Sequence, residues 1–325
     1  MPTSNPAREV GAVLSLRAML RCGDGKFDDA WADVLTVHRL GRLMSRGSWY
    51  EASTGFGLDM IAHRAELAFL AAAKLTAKQA LKCQADLLAL PPWASYAEAV
   101  NLYDRFAFLD AVQSVPRTGK NDYFIDPELE DLPAEKLPEI LNWERILRTG
   151  NGYYDRIVAA LRKPTRAERR PAAAIFGEIE AKQSPDARRI SLWKQFVLKA
   201  DAAKMRAFVS DRVATLTVGL FWITGDRMMD AGDRAEQLSH NGVLAFALAA
   251  HFADHKAYSA KLADLAPKYV PKLPDDVFSA KPLIYKPTEK GYLLYSVGAN
   301  GTDDGGQSFN DEPRGDDLAV QVPRK

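Results

Sequence analysis

Three prolines within eight residues, Pro267, Pro271 and Pro274, divide this chain into two kinds of text. Proline lacks a backbone N–H and its ring clashes with the preceding turn, so K-Y-V-P-K-L-P-D-D cannot continue a helix. Upstream, apolar residues recur at helical spacing; downstream, residues 282–286, 291–297 and 318–322 are short β-prone runs, the first two joined by the hairpin-like P-T-E-K-G. The expected fold is therefore mainly α, a multi-helix bundle or irregular α-solenoid, followed by a small α+β module with a short antiparallel sheet. The change falls near residue 275.

The helical text has readable punctuation. Phe27, Trp31, Val34, Leu35 and His38 share a helix face, Gly23, Asp24 and Gly25 mark the turn before them, and residues 14–20 repeat the spacing, predicting an antiparallel pair. The segment L-R-C-G-D-G-K-F-D-D-A-W resembles the inter-helix turn of a tetratricopeptide-like hairpin, although no repeat recurs at a period of about 34 residues. Helices are expected over 50–73, over 76–90 with Pro91 and Pro92 as the stop, and over 96–112. Residues 116–138 read as a loop or linker, with a candidate sub-boundary at 116–136. Helices then resume to about residue 254, with breaks at Gly150 to Gly152, Pro164 and Pro185. The expected division is a helical region over 1–228 and a module over 229–325, with its helix at 235–254 and its β region at 281–322.

Charge and composition exclude several classes. Lys+Arg number 43 and Asp+Glu 42, a formal charge of +1, so the chain has no basic footprint for nucleic acid. The apolar runs at 213–223 and 243–250 fall short of the ~20 residues that span a bilayer, and M-P-T-S-N-P-A-R-E-V shows no signal peptide. Cys22 and Cys83 match neither a disulfide framework nor a Cys-x-x-Cys pair and read as two buried thiols. No phosphate-binding, nucleophile-elbow or dinucleotide motif occurs in a suitable context. No catalytic or cofactor-binding residues are assigned.

The text from Ala257 onward, A-Y-S-A-K-L-A-D-L-A-P-K-Y-V-P-K-L-P-D-D-V-F-S-A-K-P-L-I-Y-K-P-T-E-K-G-Y-L-L-Y-S-V-G-A-N-G, resembles the globular part of a type IV pilin-like protein. It is most similar to the major pseudopilin of type II secretion systems over about the last ninety residues. The matching features are a helix, a Tyr-containing loop, proline-spaced Y-V-P-K-L-P-D-D, an aromatic strand, S-V-G-A-N-G and an acidic loop. The resemblance implies an extracytoplasmic or envelope-associated setting and a calcium ion in the final loop. It places carbonyl ligands at Ser296 and Val297 and side-chain ligands at Asn300, Asp316 and Asp317. Asn300 stands where the family more often has Asp, and Asp303 and Asp304 are the candidates to restore the charge. The leader and apolar anchor helix of a true pseudopilin do not precede the spine; a long helical region does.

The chemistry of the loop points the same way without the resemblance. Calcium takes six to eight hard oxygen donors on a compliant backbone, and G-A-N-G-T-D-D-G-G-Q-S-F-N-D-E-P-R-G-D-D supplies Asp, Asn and glycine-flanked carbonyls. Asn300, Thr302, Asp304, Gly305 and Asp311 have EF-hand spacing, but a strand precedes them where that motif requires a helix. Turn-rich loops without metal use the same residues.

Elsewhere, His251 and His255 lie four apart on a predicted helix, with His240 eleven residues earlier on the same face, but H-F-A-D-H lacks the glutamate of H-E-x-x-H. An ordinary histidine face is the expectation there. The functional expectation is a non-enzymatic, envelope-associated interaction or structural protein, stabilised by calcium and able to meet a protein partner. The alternative is an enzyme or small-ligand-binding protein whose site in the helical bundle brings His38 or His63 to a carboxylate.

Overall fold

A computed structural model of the chain describes residues 4–118, 141–183, 202–221 and 225–323. Its elements run α1 (Ser4–Gly23), α2 (Phe27–Met44), α3 (Trp49–Ala72), α4 (Ala77–Leu88), α5 (Tyr96–Ala99), a π-helical turn (Val100–Asp104), α6 (Arg105–Thr118), α7 (Trp143–Leu161), α8 (Arg166–Gln183), α9 (Ala202–Phe221) and α10 (Gly225–His255). A 3-10 turn (Leu262–Leu265) and strands β1 (Ile284–Thr288), β2 (Gly291–Ser296) and β3 (Leu318–Val322) complete it. The protein is thus mainly helical, with a small antiparallel sheet of order β1-β2-β3 near its C-terminus. The expected linker at 116–138 falls almost wholly outside the described residues, as does Pro185.

The chain forms two compact units, Met1–Ala94 with Met229–Lys325, and Ser95–Met228. The expected division into 1–228 and 229–325 is therefore corrected: helices α1 to α4 belong with the C-terminal module. The reason lies in α10, where Leu244, Ala245, Phe246, Ala247 and Leu248 are consecutive and each 0% exposed. A helix apolar all round needs cover on every side. Tyr292, Leu294 and Val320 of the sheet cover it together with Trp31, Phe69 and Ala80 from the N-terminal helices, all in one core. Trp31 sits between them, its ring 5.1 Å from Phe246 edge-on and 5.4 Å from Phe69. Its indole N–H donates to Asp86 at 2.9 Å, so the one polar atom of this core side chain is satisfied.

Local chemistry sets the helix boundaries. The expected α1–α2 hairpin forms, with Gly25 at φ +74 in the turn. Ser48 with Glu51, and Thr76 with Gln79, form reciprocal capping boxes that satisfy the first orphan amides of α3 and α4. Where α2 crosses α3, a Cβ on Gly41 would lie 2.9 Å from the Gly55 carbonyl, and one on Gly55 would lie 2.5 Å from the Gly41 carbonyl. Only a glycine pair allows that approach, and it brings the polar residues further along the two helices into contact.

In the second unit, Phe108 of α6, Tyr154 and Ile157 of α7, Ile175 and Ile179 of α8 and Val213 of α9 are buried. The break expected at Gly150 to Gly152 does not occur, and α7 runs straight through it. Gly150 is required there because the Phe108 ring occupies the space that a side chain would need, and a Cβ at this position would strike the ring. The break at Pro164 is present, between α7 and α8. Just before the prolines the chain makes the single 3-10 turn Leu262–Leu265.

Candidate metal centre

The acidic loop joins β2 to β3. Its entry is pinned by Asp276, 2% exposed, whose carboxylate accepts from Phe278 N and Ser279 Oγ of its own turn and from Ser296 Oγ and Val297 N at the end of β2. Gly298 follows at φ +68, and a Cβ there would strike the Asp316 carbonyl oxygen and lie 2.6 Å from Asp316 Oδ1. The turn thus needs glycine twice over, for its left-handed backbone and for the approach of Asp316.

Beyond that turn the loop folds back and gathers Asp304, Asp316 and Asp317, each offering one carboxylate oxygen within 4.8 Å of the others. Calcium–oxygen distances are about 2.3–2.6 Å, so donors on opposite sides of one ion stand about 5 Å apart. Half of each carboxylate's bonding is accounted for locally. Asp304 Oδ2 accepts from Asn300 Nδ2 and Asp316 N, both at 3.0 Å. Asp316 Oδ2 accepts from Asn300 N at 3.0 Å and stands 3.4 Å from the guanidinium of Arg234 on α10. Asp317 Oδ2 accepts from Gly306 N at 2.7 Å.

The other oxygens of Asp316 and Asp317 are not. Asp316 Oδ1, Asp317 Oδ1 and Gln307 Oε1 are buried without a hydrogen-bond partner among the described residues. Asp317 as a whole is 1% exposed. Every orphan in this loop among the described residues is an acceptor, and burial raises the Asp317 carboxyl above its ordinary value, with the neighbouring charges of Asp304 and Asp303 adding to the rise. A carboxylate carried into that position requires positive charge beside it.

Of the residues singled out from sequence, the fold brings Asp304, Asp316 and Asp317 together and sets Asn300 against two of them. Asp303 goes elsewhere: its Oδ1 accepts from Tyr295 Oη at 2.9 Å and Gly305 N at 2.9 Å, and Tyr295 Oη in turn accepts from Lys286 Nζ at 2.6 Å. Ser296 and Val297 form the turn that Asp276 holds. Asp311, at the twelfth place of the EF-hand spacing, accepts from Ser308 N and Oγ within a local turn. Sequence reasoning missed Asp276 as the organiser and Arg234 as the charged neighbour. The adjacency of Asp276 to the prolines signalled only a turn, and Arg234 lies 82 residues away from Asp316.

A second concentration of charge lies inside the first unit. His38 of α2 places Nδ1 2.8 Å from Asp59 Oδ1 and Nε2 3.2 Å from Glu66 Oε2, both acids on α3. His63 Nδ1 stands 3.6 Å from the same Glu66 oxygen, beyond hydrogen-bond range. These four side chains and Arg42 are between 1% and 6% exposed. Burial opposes the imidazolium, but Asp59 and Glu66 outweigh it and push His38 up to about 9. Burial likewise opposes the Glu66 carboxylate, and the imidazoles of His38 and His63 pull it down to about 2. Arg42 stacks on Trp93 at 3.7 Å and donates to Ser239 of α10 at 2.9 Å. A Cβ on Gly242 of α10 would strike Glu66 Oε1.

The chain matches no family model, and no curated protein or solved structure matches it. No described helix is long and apolar enough to cross a membrane. Cys22 and Cys83 are free and buried, and burial pushes the Cys83 thiol up to about 12, away from the reactive thiolate.

Proposed function

We propose that this is a non-enzymatic interaction or structural protein whose C-terminal module is locked by a calcium ion held between Asp304, Asp316 and Asp317. The observation that carries the reading is the set of buried oxygens in one loop, all acceptors, all lacking a donor among the described residues. Oxygen-only donors suit hard divalent ions, and a compliant, glycine-rich loop suits calcium better than the rigid octahedron magnesium demands. Binding would neutralise the clustered carboxylates and tie the β2–β3 connection to α10 through Arg234. The same helix is the centre of the core, so the ion would act on the stability of the whole first unit. The pseudopilin-like order of elements supports the same ion and an envelope-associated setting.

Calorimetric titration of calcium into the metal-stripped chain tests this, with thermal melts in calcium and in chelator. One equivalent should bind and raise the melting temperature, and Asp316→Ala or Asp317→Ala should abolish both effects. An identical melt of the wild-type chain in calcium and in chelator would refute the reading.

The second reading, a site in the helical region, is favoured by one observation, the convergence of His38 and His63 on Asp59 and Glu66. It requires a path by which substrate reaches side chains no more than 6% exposed.

A further inference from the structure

The far end of α10 carries a group of side chains that the calcium reading does not use. Lys256 ends the helix in the left-handed region at φ 60, its N–H bonded to the Phe252 carbonyl at 2.8 Å. That turn sends the chain back over the last helical turn, so the Ala257 carbonyl meets His251 Nδ1 at 3.0 Å. A carbonyl only accepts, so in the neutral ring His251 carries its proton on Nδ1 and has its lone pair on Nε2.

His255 is fixed by different neighbours. Its Nε2 lies 3.1 Å from Tyr269 Oη. The tyrosine proton is committed to Asp254 Oδ2 at 2.8 Å, and Lys268 Nζ donates both to Tyr269 Oη at 2.7 Å and to Asp254 at 3.0 Å. Tyr269 Oη can therefore only accept from His255, which in the neutral ring sets the proton on Nε2 and the lone pair on Nδ1. The two rings lie 4.4 Å apart, one turn from each other on the helix, and no further hydrogen bond reaches either among the described residues. His251 is partly exposed and His255 exposed.

A ligating imidazole is neutral, offers one nitrogen to the metal and donates its other N–H to an acceptor that orients the ring. Both rings meet that pattern here, at the end of a helix whose terminal carbonyls favour a cation. We propose that His251 and His255 form a second, separate metal site, a two-histidine chelate at the C-terminus of α10 for a divalent transition ion of the zinc or copper(II) class. Imidazole donors select that class over calcium, and two protein ligands leave the remaining coordination positions open to water or to a donor from a partner. Tyr269, with Asp254 and Lys268 behind it, is a positioning residue.

The test is titration of zinc chloride into the full chain with calcium at saturation, followed by copper(II) electron paramagnetic resonance. One equivalent of zinc should bind, and the copper spectrum should show nitrogen coupling from two imidazoles. His251→Ala and His255→Ala, both at surface positions, should each weaken zinc at least about tenfold. Tyr269→Phe keeps both rings and should weaken it by roughly tenfold. Asp316→Ala should leave zinc unchanged. Zinc affinity within about twofold of wild type in the His251→Ala/His255→Ala double variant, or zinc lost through Asp316→Ala instead, would overturn the proposal.

Discussion

The buried histidine network and the acidic loop confront the same problem in opposite ways. Around His38, carboxylates, imidazoles and a guanidinium are packed together, so each charge finds its counter-charge inside the protein. Its orphan atoms are of both kinds, the acceptors Asp59 Oδ2 and Glu66 Oε1 beside the donor Arg42 Nε and the ring nitrogens of His63. In the loop the orphans are acceptors alone. The mixed set can be completed from within or by water, which both donates and accepts; the one-sided set calls for a cation. Composition alone does not separate the two clusters, since both concentrate Asp or Glu, and what differs is how much opposite charge the fold delivers: His38 and Arg42 beside Asp59 and Glu66, against Arg234 at Asp316 in the loop.

The largest test of that contrast is Glu66→Gln. Removing one member of a buried, self-neutralised group leaves His38 unbalanced, and the expected loss is about 3–5 kcal/mol of unfolding free energy. Denaturant titration should give the same loss in calcium and in chelator. Dependence of that loss on calcium would merge the two regions.

Asp317→Asn sharpens the other side. In chelator it removes a buried, uncompensated charge and should leave the protein as stable as wild type or more so. In calcium it should forfeit ligand stabilisation, about 2.7 kcal/mol when the free ion is a hundred times its dissociation constant. A large destabilisation in chelator would show that the carboxylate is balanced without an ion.

The pH dependence should divide along the same line. His38 is raised from 6.5 to about 9, so its stabilisation is complete below 6.5 and fades as pH rises through 9. Glu66 is lowered from 4.5 to about 2, so its share is complete above 4.5 and fades as pH falls through 2. The two together are strongest between pH 4.5 and 6.5. Calcium affinity should instead weaken on acidification at a higher pH than an ordinary aspartate gives, because the ion requires Asp317 ionised and its carboxyl is raised. Melting curves across pH in chelator, and titrations of calcium at each pH, read the two separately.

The smallest effect is reserved for Asp303→Asn. Its carboxylate is 2.9 Å from Tyr295 Oη in a surface contact, so a change of under about 1 kcal/mol is expected, with calcium affinity retained. Loss of binding in this variant would place Asp303 back in the ion site.

Much of this architecture was legible in the sequence, for identifiable reasons. A lone proline is tolerated, as Pro171 is inside α8, but three within eight residues leave no room for a regular helix, so the end of the helical text and the start of the small sheet could be placed from Pro267, Pro271 and Pro274. Periodicity located the hairpin of α1 and α2 and the three strands. Glycine misled at Gly150, because it breaks an isolated helix yet serves inside one when Phe108 takes the place of its side chain. The candidate loop was legible as a store of oxygen donors, and Asp304, Asp316 and Asp317 were among those singled out, but which of the candidates converge was not, since Asp303 and Asp304 are adjacent and differ only in which way the folded backbone turns them.

Local sequence therefore determined what is local: helix, turn and strand, the capping boxes, the flexible acidic loop and the four-residue spacing of His251 and His255. Tertiary structure alone decided that the first 94 residues share a core with the last 97, that Glu66 meets His38, and that Arg234 reaches Asp316. Backbone preference and steric exclusion act between near neighbours in the chain and can be read in order. Charge pairing and burial act between neighbours in space, and for this protein those are up to 82 residues apart at the candidate metal centre.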